Sequence, residues 1–268
     1  MRFKFPIIQK ITIAAMLVVL DTFFIALSKF SILPGISYVR LNVGPMIVIF
    51  SSILLGPLYG GIVGALGDLL GMLIAPIGIY NPFMTVISIL YGVLPWLLML
   101  LTRKFRTKLK ISLPVIASLV SILIASVLLF YLTDLFDKNY GDQSYWIKPV
   151  IISALSISIA ITIFGIILVN KKFQKNILEI PSLPSPNEIG LICIFVEVLL
   201  GVFANSAAIL FYFHVLAPNP DLSRSIGVIL PFYLCTCPFE ILIETLGVSW
   251  LSLISTKLLK RYISKDED

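Results

Sequence analysis

An all-α polytopic membrane protein with about eight transmembrane helices is the fold class predicted by three features of this chain. Of its 268 residues, 59% are hydrophobic and 13% charged, and the mean hydropathy is +1.04. Apolar runs able to supply the roughly 20 residues of a bilayer span follow one another almost from end to end. Basic residues gather in clusters that fall on one side when those runs are threaded alternately. No polar stretch is long enough for a separate soluble domain, so the chain reads as one membrane unit.

Helices are expected at residues 8–30, 44–55, 59–74, 83–101, 113–132, 150–169, 189–214 and 227–259. The first starts with a basic head and an apolar run, as a signal peptide does. That run continues through Asp21 to Leu27 with no clear small-residue cleavage site, so it reads as a retained helix. The second and third are short and meet at Gly56-Pro57. In the third, Gly60 and Gly64 are four residues apart, as are Gly67 and Gly71, a spacing that lets helix backbones approach closely within a bilayer.

Charge sets the expected orientation. Arg2, Lys4 and Lys10 lie at the start. Arg103, Lys104, Arg106, Lys108 and Lys110 follow the fourth helix, Lys171, Lys172 and Lys175 the sixth, and Lys257, Lys260, Arg261 and Lys265 close the chain. The opposite side carries Asp134, Asp137, Asp142 and Asp221, with only single bases such as Lys29, Arg40 and Arg224. The positive-inside rule therefore predicts a multi-pass cell-membrane protein with both termini cytoplasmic. The net charge of +6 is thus explained by topological anchors, and no basic face interleaved with aromatics points to nucleic acid. The predicted outer loops are 31–42, 75–82, 133–149 and 216–225.

Several kinds of chemistry are disfavoured. His214 is the single histidine, and Cys193, Cys235 and Cys237 form no CxxC pair, so no metal centre is expected and the cysteines read as small buried hydrophobes. No GxxxxGK[ST] loop and no nucleophile–base pair is present, which predicts neither a nucleotide hydrolase of that type nor an enzyme. No cofactor is expected.

The candidate chemistry lies in spans and outer loops. An acid deep in a span costs at least ~2.5 kcal/mol on insertion scales and usually faces a cavity or a partner. Asp68 is such an acid, and Asp21, Glu197, Glu240 and Glu244 pose the same question. For Asp68 the alternatives are a ligand or proton role and a carboxyl merely bonded to a neighbouring helix. Glu240 and Glu244 are one turn apart on one face, and either form a proton site or face water or a partner subunit. Between the third and fourth helices, Pro76 and Pro82 stiffen a loop in which Tyr80 and Phe83 offer flat faces and Asn81 a donor and an acceptor. Arg40, just before the second helix, has the planar fork that suits a carboxylate, or is a solvated loop charge.

The order of these motifs resembles a known family. A first helix with Ala14 and Ala15 precedes RLNVG at Arg40–Gly44 and then LLGPLYGGIVGALGDLLG. The pattern PxGxYxPxxT follows at Pro76, Gly78, Tyr80, Pro82 and Thr85, then Tyr91-Gly92, and later ANSAAIL at Ala204–Leu210. This is similar to the S components of energy-coupling factor (ECF) vitamin transporters, closest to the folate group. The resemblance implies a six-helix S-component-like core that binds a vitamin or precursor, here folate or a relative, from outside without an ATPase of its own. Its implied partners are an energy-coupling transmembrane protein and two ATPase subunits, besides membrane lipid. It implies docking on the coupling protein through Ala14, Ala15, Val18 and Val19. The pocket implied beside the bottom-up reading takes in Arg40, Asn42, Asp68, Tyr80, Asn81, Phe83, Thr85, Asn205 and Tyr212.

The chain also departs from that family. Two extra helices make 106–187 an inserted transmembrane hairpin between an N-terminal part, 1–105, and a C-terminal part, 188–268. Val18 and Val19 stand where alanines are expected. The start of the last helix reads PFYLCTCP, without the basic residues that would hold an anionic tail. The competing reading is a proton-coupled secondary transporter using Asp68, Glu240 or Glu244. Such folds usually repeat their broken helices in two halves, whereas the glycine-rich break is visible only in the first.

Overall fold

The structure, a computed structural model, describes residues 6–30, 43–76, 79–105, 184–216 and 240–255, together with single helical residues at 153, 157, 160, 164, 168, 233 and 237. The described residues contain no strand. In chain order they form α1 (Ile7–Phe30), α2 (Gly44–Leu55), α3 (Pro57–Ile74), α4 (Pro82–Phe105), α5 (Pro186–Val196) and α6 (Asn205–Phe211). The π-helical segment Glu197–Ala204 joins α5 to α6, and a second one, Tyr212–Leu216, follows α6. Residues 240–255 form a further helix, here the last helix. Among the described residues, four stretches are long and apolar enough to cross a bilayer: Ile7–Ser28, Pro57–Ile74, Pro82–Thr102 and Glu188–Leu216. The helix expected at 113–132 lies outside the described residues, as does most of that expected at 150–169.

Each boundary has a local cause. Gly56 turns α2 into α3 with φ 101°, a left-handed angle that a side chain resists, and its N–H still reaches the Ser52 carbonyl at 3.0 Å. Pro57 then opens α3, where no N–H partner is needed. α5 starts at a capping box. Ser185 Oγ accepts from the Glu188 N–H, and Glu188 Oε2 accepts from the Ser185 N–H at 2.7 Å. Pro95 sits inside α4 and cannot donate to the carbonyl of Tyr91 one turn earlier.

The helices close on a core of Ile47, Val48, Ile49, Val63, Met99, Ile189, Ile192 and Val248. The glycine stripe of α3 divides between two neighbours. Gly60 and Gly64 lie against the α4 backbone at Gly92 and Ser88, so close that a methyl group on either would meet main-chain atoms. Gly67 and Gly71 receive Asp21 and Ile25 of α1. Small residues thus bring α3 against two helices at once, and the gain is close van der Waals contact where lipid offers no hydrophobic drive.

Candidate substrate site

The loop between α3 and α4 is fastened to the far end of the α5–α6 rod. The Ile79 N–H donates to Tyr212 Oη at 3.0 Å, and Asn81 Nδ2 donates to the Ala208 carbonyl at 2.9 Å. Asn81 Oδ1 accepts from the Phe83 N–H at 3.1 Å, which caps the start of α4. The Phe83 ring meets Phe211 edge-on, with centroids 4.6 Å apart. Asn81 is buried and spends its amide on the scaffold, while the rings of Tyr80 and Phe83 remain 40% and 47% exposed.

A hydrogen-bonded relay runs inward from this loop. Thr85 Oγ1 donates to Asp68 Oδ2 at 2.6 Å and lies 2.6 Å from Tyr80 Oη. A threonine hydroxyl has one proton, so Tyr80 donates to Thr85 and Thr85 to Asp68. The relay joins an exposed aromatic ring to an acid within a span. Asp21 of α1 lies within electrostatic reach of Asp68. It is 1% exposed, and neither carboxylate oxygen has a hydrogen-bond partner among the described residues.

A second polar group lies deeper. The Tyr91 hydroxyl donates to Glu197 Oε2, and Glu197 is also hydrogen-bonded to Glu240. Tyr91 lies nine residues into α4 and Glu197 eleven beyond Pro186. At about 1.5 Å per residue, both are near the middle of a layer ~30 Å thick. Glu197 opens the π segment, whose extra residue per turn breaks the α register, a feature frequent at functional sites. Gly201 leaves room for the Glu197 carboxylate: a side chain there would crowd its oxygens. Glu240 and Glu244 are 5% and 0% exposed, so they face the interior and not water or a partner.

The residues expected at the site come together unevenly. Asp68, Tyr80, Asn81, Phe83, Thr85 and Tyr212 gather around one loop. Asn205 lies half-buried at the start of α6. Arg40 and Asn42 lie outside the described residues. Of the docking residues, Ala14 and Val18 turn into the core, and Ala15 and Val19 stay exposed. Tyr91 is the residue the sequence passed over. A donor is what a buried glutamate needs, but no spacing in the chain ties Tyr91 to Glu197. Cys193 and Cys237 are free and buried, as expected, while Cys235 lies outside the described residues. Among the described residues no group of three acids, histidines or cysteines is arranged to hold a metal ion.

The family model of the S component of ECF-type riboflavin transporters matches residues 7–174. The chain belongs to this family. No curated protein and no solved structure matches it. The match runs through α1–α4 and on across most of 106–187. S components are membrane-embedded subunits for substrate binding, not enzymes, and work with the membrane and ATPase modules of an ECF transporter. The motifs resemble the folate group and the match is to the riboflavin group, so the two agree at the level of the S component.

Proposed function

We propose that this S component captures a flat heteroaromatic vitamin or precursor, of the riboflavin or folate type, at the 75–82 loop. The observation that carries the reading is the Tyr80–Thr85–Asp68 relay beneath two exposed rings, on a loop pinned by Tyr212 and Ala208. Tyr80 and Phe83 would stack on the ring, as aromatic faces do on flat ligands. The Asp68 relay and Asn205 would take its polar edge, with Arg40 and Asn42 closing the pocket from the preceding loop. All the buried charged side chains among the described residues are acids, which disfavours a polyanionic ligand in the interior.

The basic clusters support an orientation with both termini cytoplasmic, so that this loop faces outward. The eight expected spans support a six-helix core plus the 106–187 hairpin. Ala15 and Val19 offer the coupling protein a surface of small side chains on α1.

The decisive experiment measures binding of riboflavin, folate and their ring precursors to the purified chain, and then ATP-driven uptake with and without the coupling module. Tight binding by the chain alone, with uptake only in the presence of the module, is the expected result. Uptake by the lone chain driven by a pH gradient would replace this reading with proton-coupled transport.

A further inference from the structure

The chain of hydrogen bonds from Tyr80 through Thr85 to Asp68 has a direction, and that direction fixes what Tyr80 can offer a ligand. Thr85 Oγ1 lies 2.6 Å from Asp68 Oδ2, the length of a hydroxyl donating to an ionised carboxylate. That contact uses the single threonine proton. The 2.6 Å contact between Thr85 Oγ1 and Tyr80 Oη therefore takes its proton from Tyr80. Each bond polarises the next, which reinforces the order along the chain. Tyr80 is left with no proton to give. Its oxygen meets an incoming ligand with lone pairs only, on a side chain that is 40% exposed. Asn81, the neighbouring amide, is buried and gives Nδ2 to the Ala208 carbonyl on α6.

A hydroxyl that can turn donates or accepts as the ligand requires, and so separates an amine from a carbonyl poorly. An oxygen held as an acceptor separates the two. An aromatic amino group donates N–H, since its own lone pair is drawn into the ring. A ring carbonyl at the same position sets oxygen against oxygen, and both groups lose water without a bond in return. The buried charged side chains among the described residues are all acids, which adds to the preference for an N–H edge.

We propose that Tyr80, held as a hydrogen-bond acceptor by Thr85 and Asp68, selects heteroaromatic ligands that present an exocyclic amino group over those that present a carbonyl there. Thr85 and Asp68 act through Tyr80 and are positioning residues in this scheme. The inference rests on the 75–82 loop being the capture site and names the ligand edge that the loop prefers. Of the riboflavin and folate ring types, the flavin edge, a carbonyl on either side of an N–H, is the disfavoured one.

The test is isothermal titration of the full purified chain with pterin and with lumazine. The two probes share one bicycle and differ at a single ring carbon, which bears an amino group in pterin and a carbonyl in lumazine. The wild type should bind pterin about tenfold more tightly, the equivalent of one ordinary hydrogen bond. Tyr80→Phe and Thr85→Val should bring the ratio of the two affinities close to one, and Thr85→Ser, which keeps the hydroxyl, should preserve it. Asp68→Asn should also bring the ratio close to one, because an amide either donates to Thr85 or accepts from it. A packing defect would weaken both probes alike and leave the ratio unchanged, so the ratio reports the relay and not the fold. A wild-type ratio near one, a preference for lumazine, or a preference for pterin that survives Thr85→Val would each overturn the acceptor role of Tyr80 and leave the capture site standing. Failure of both probes to bind the wild type would overturn the capture site itself, and this inference with it.

Discussion

Thr85 and Tyr91 show how single hydroxyls decide the fate of acids inside the spans. Thr85 passes a hydrogen bond from Tyr80 to Asp68. Thr85→Val keeps the shape and removes the link, so Asp68 loses a donor and Tyr80 its anchor. Vitamin affinity should fall roughly tenfold, about 1.4 kcal/mol, read by isothermal titration. Tyr91→Phe acts elsewhere. It removes the donor to Glu197, which is 2% exposed, and should cost about 1–3 kcal/mol of stability, seen as a lower unfolding midpoint in detergent. Vitamin affinity per folded molecule should change little, because Tyr91 lies below the loop. Equal losses of affinity in the two variants would contradict the separation of the two polar groups. The acids were visible in the sequence, since any carboxyl in an apolar run stands out. Their donors were not, because serine, threonine and tyrosine are common in spans and only packing selects which one faces an acid.

Glycines and one asparagine govern how the elements meet. A methyl group at Gly92 would run into the Gly60 backbone, which cannot yield as a side chain can. Gly92→Ala should destabilise the α3–α4 pair by about 1–3 kcal/mol. At Gly61 the added methyl meets the Val93 and Ile89 side chains at 3.4 and 3.5 Å, an ordinary contact. Gly61→Ala should therefore be neutral or raise the midpoint through its better helix propensity, by up to ~1 kcal/mol. Midpoints of the two variants measured side by side check the contrast. The GxxxG spacing was legible from the chain as a signal for close approach. That the first pair serves α4 and the second α1 was not, since one helix face can meet two partners. Asn81 gives a third case. The sequence offered it as a ligand donor, yet its amide ties the loop to Ala208 and caps α4. Asn81→Ala should loosen the 75–82 loop, raising its hydrogen exchange and weakening vitamin binding about tenfold through lost preorganisation.

The whole molecule sets where partners act. Ala15 and Val19 lie on the exposed side of α1, with Ala14 and Val18 in the core. Val19→Trp should leave folding and vitamin binding by the isolated chain unchanged and abolish ATP-driven uptake with the coupling module. Normal uptake by that variant would move the docking surface to another face. Val18→Trp, by contrast, should damage the fold itself, because Val18 is 7% exposed in the core cluster. Alternating small residues along a helix mark closeness to something, and only the packed bundle tells the partner protein from the chain's own interior.

The sequence by itself determined the membrane class, the positions of α1–α4, the loop at 75–82 and the kind of transporter subunit. These follow from local quantities: apolar length against bilayer thickness, proline and glycine at turns, and a run of motifs close together in the chain. Only the tertiary structure decided that Tyr212 and Ala208 hold that loop, that Tyr91 serves Glu197, and that Glu240 and Glu244 point inward. Those pairings join residues over a hundred positions apart across different helices. A hydrogen bond depends on where two helices cross, and no local spacing carries that information.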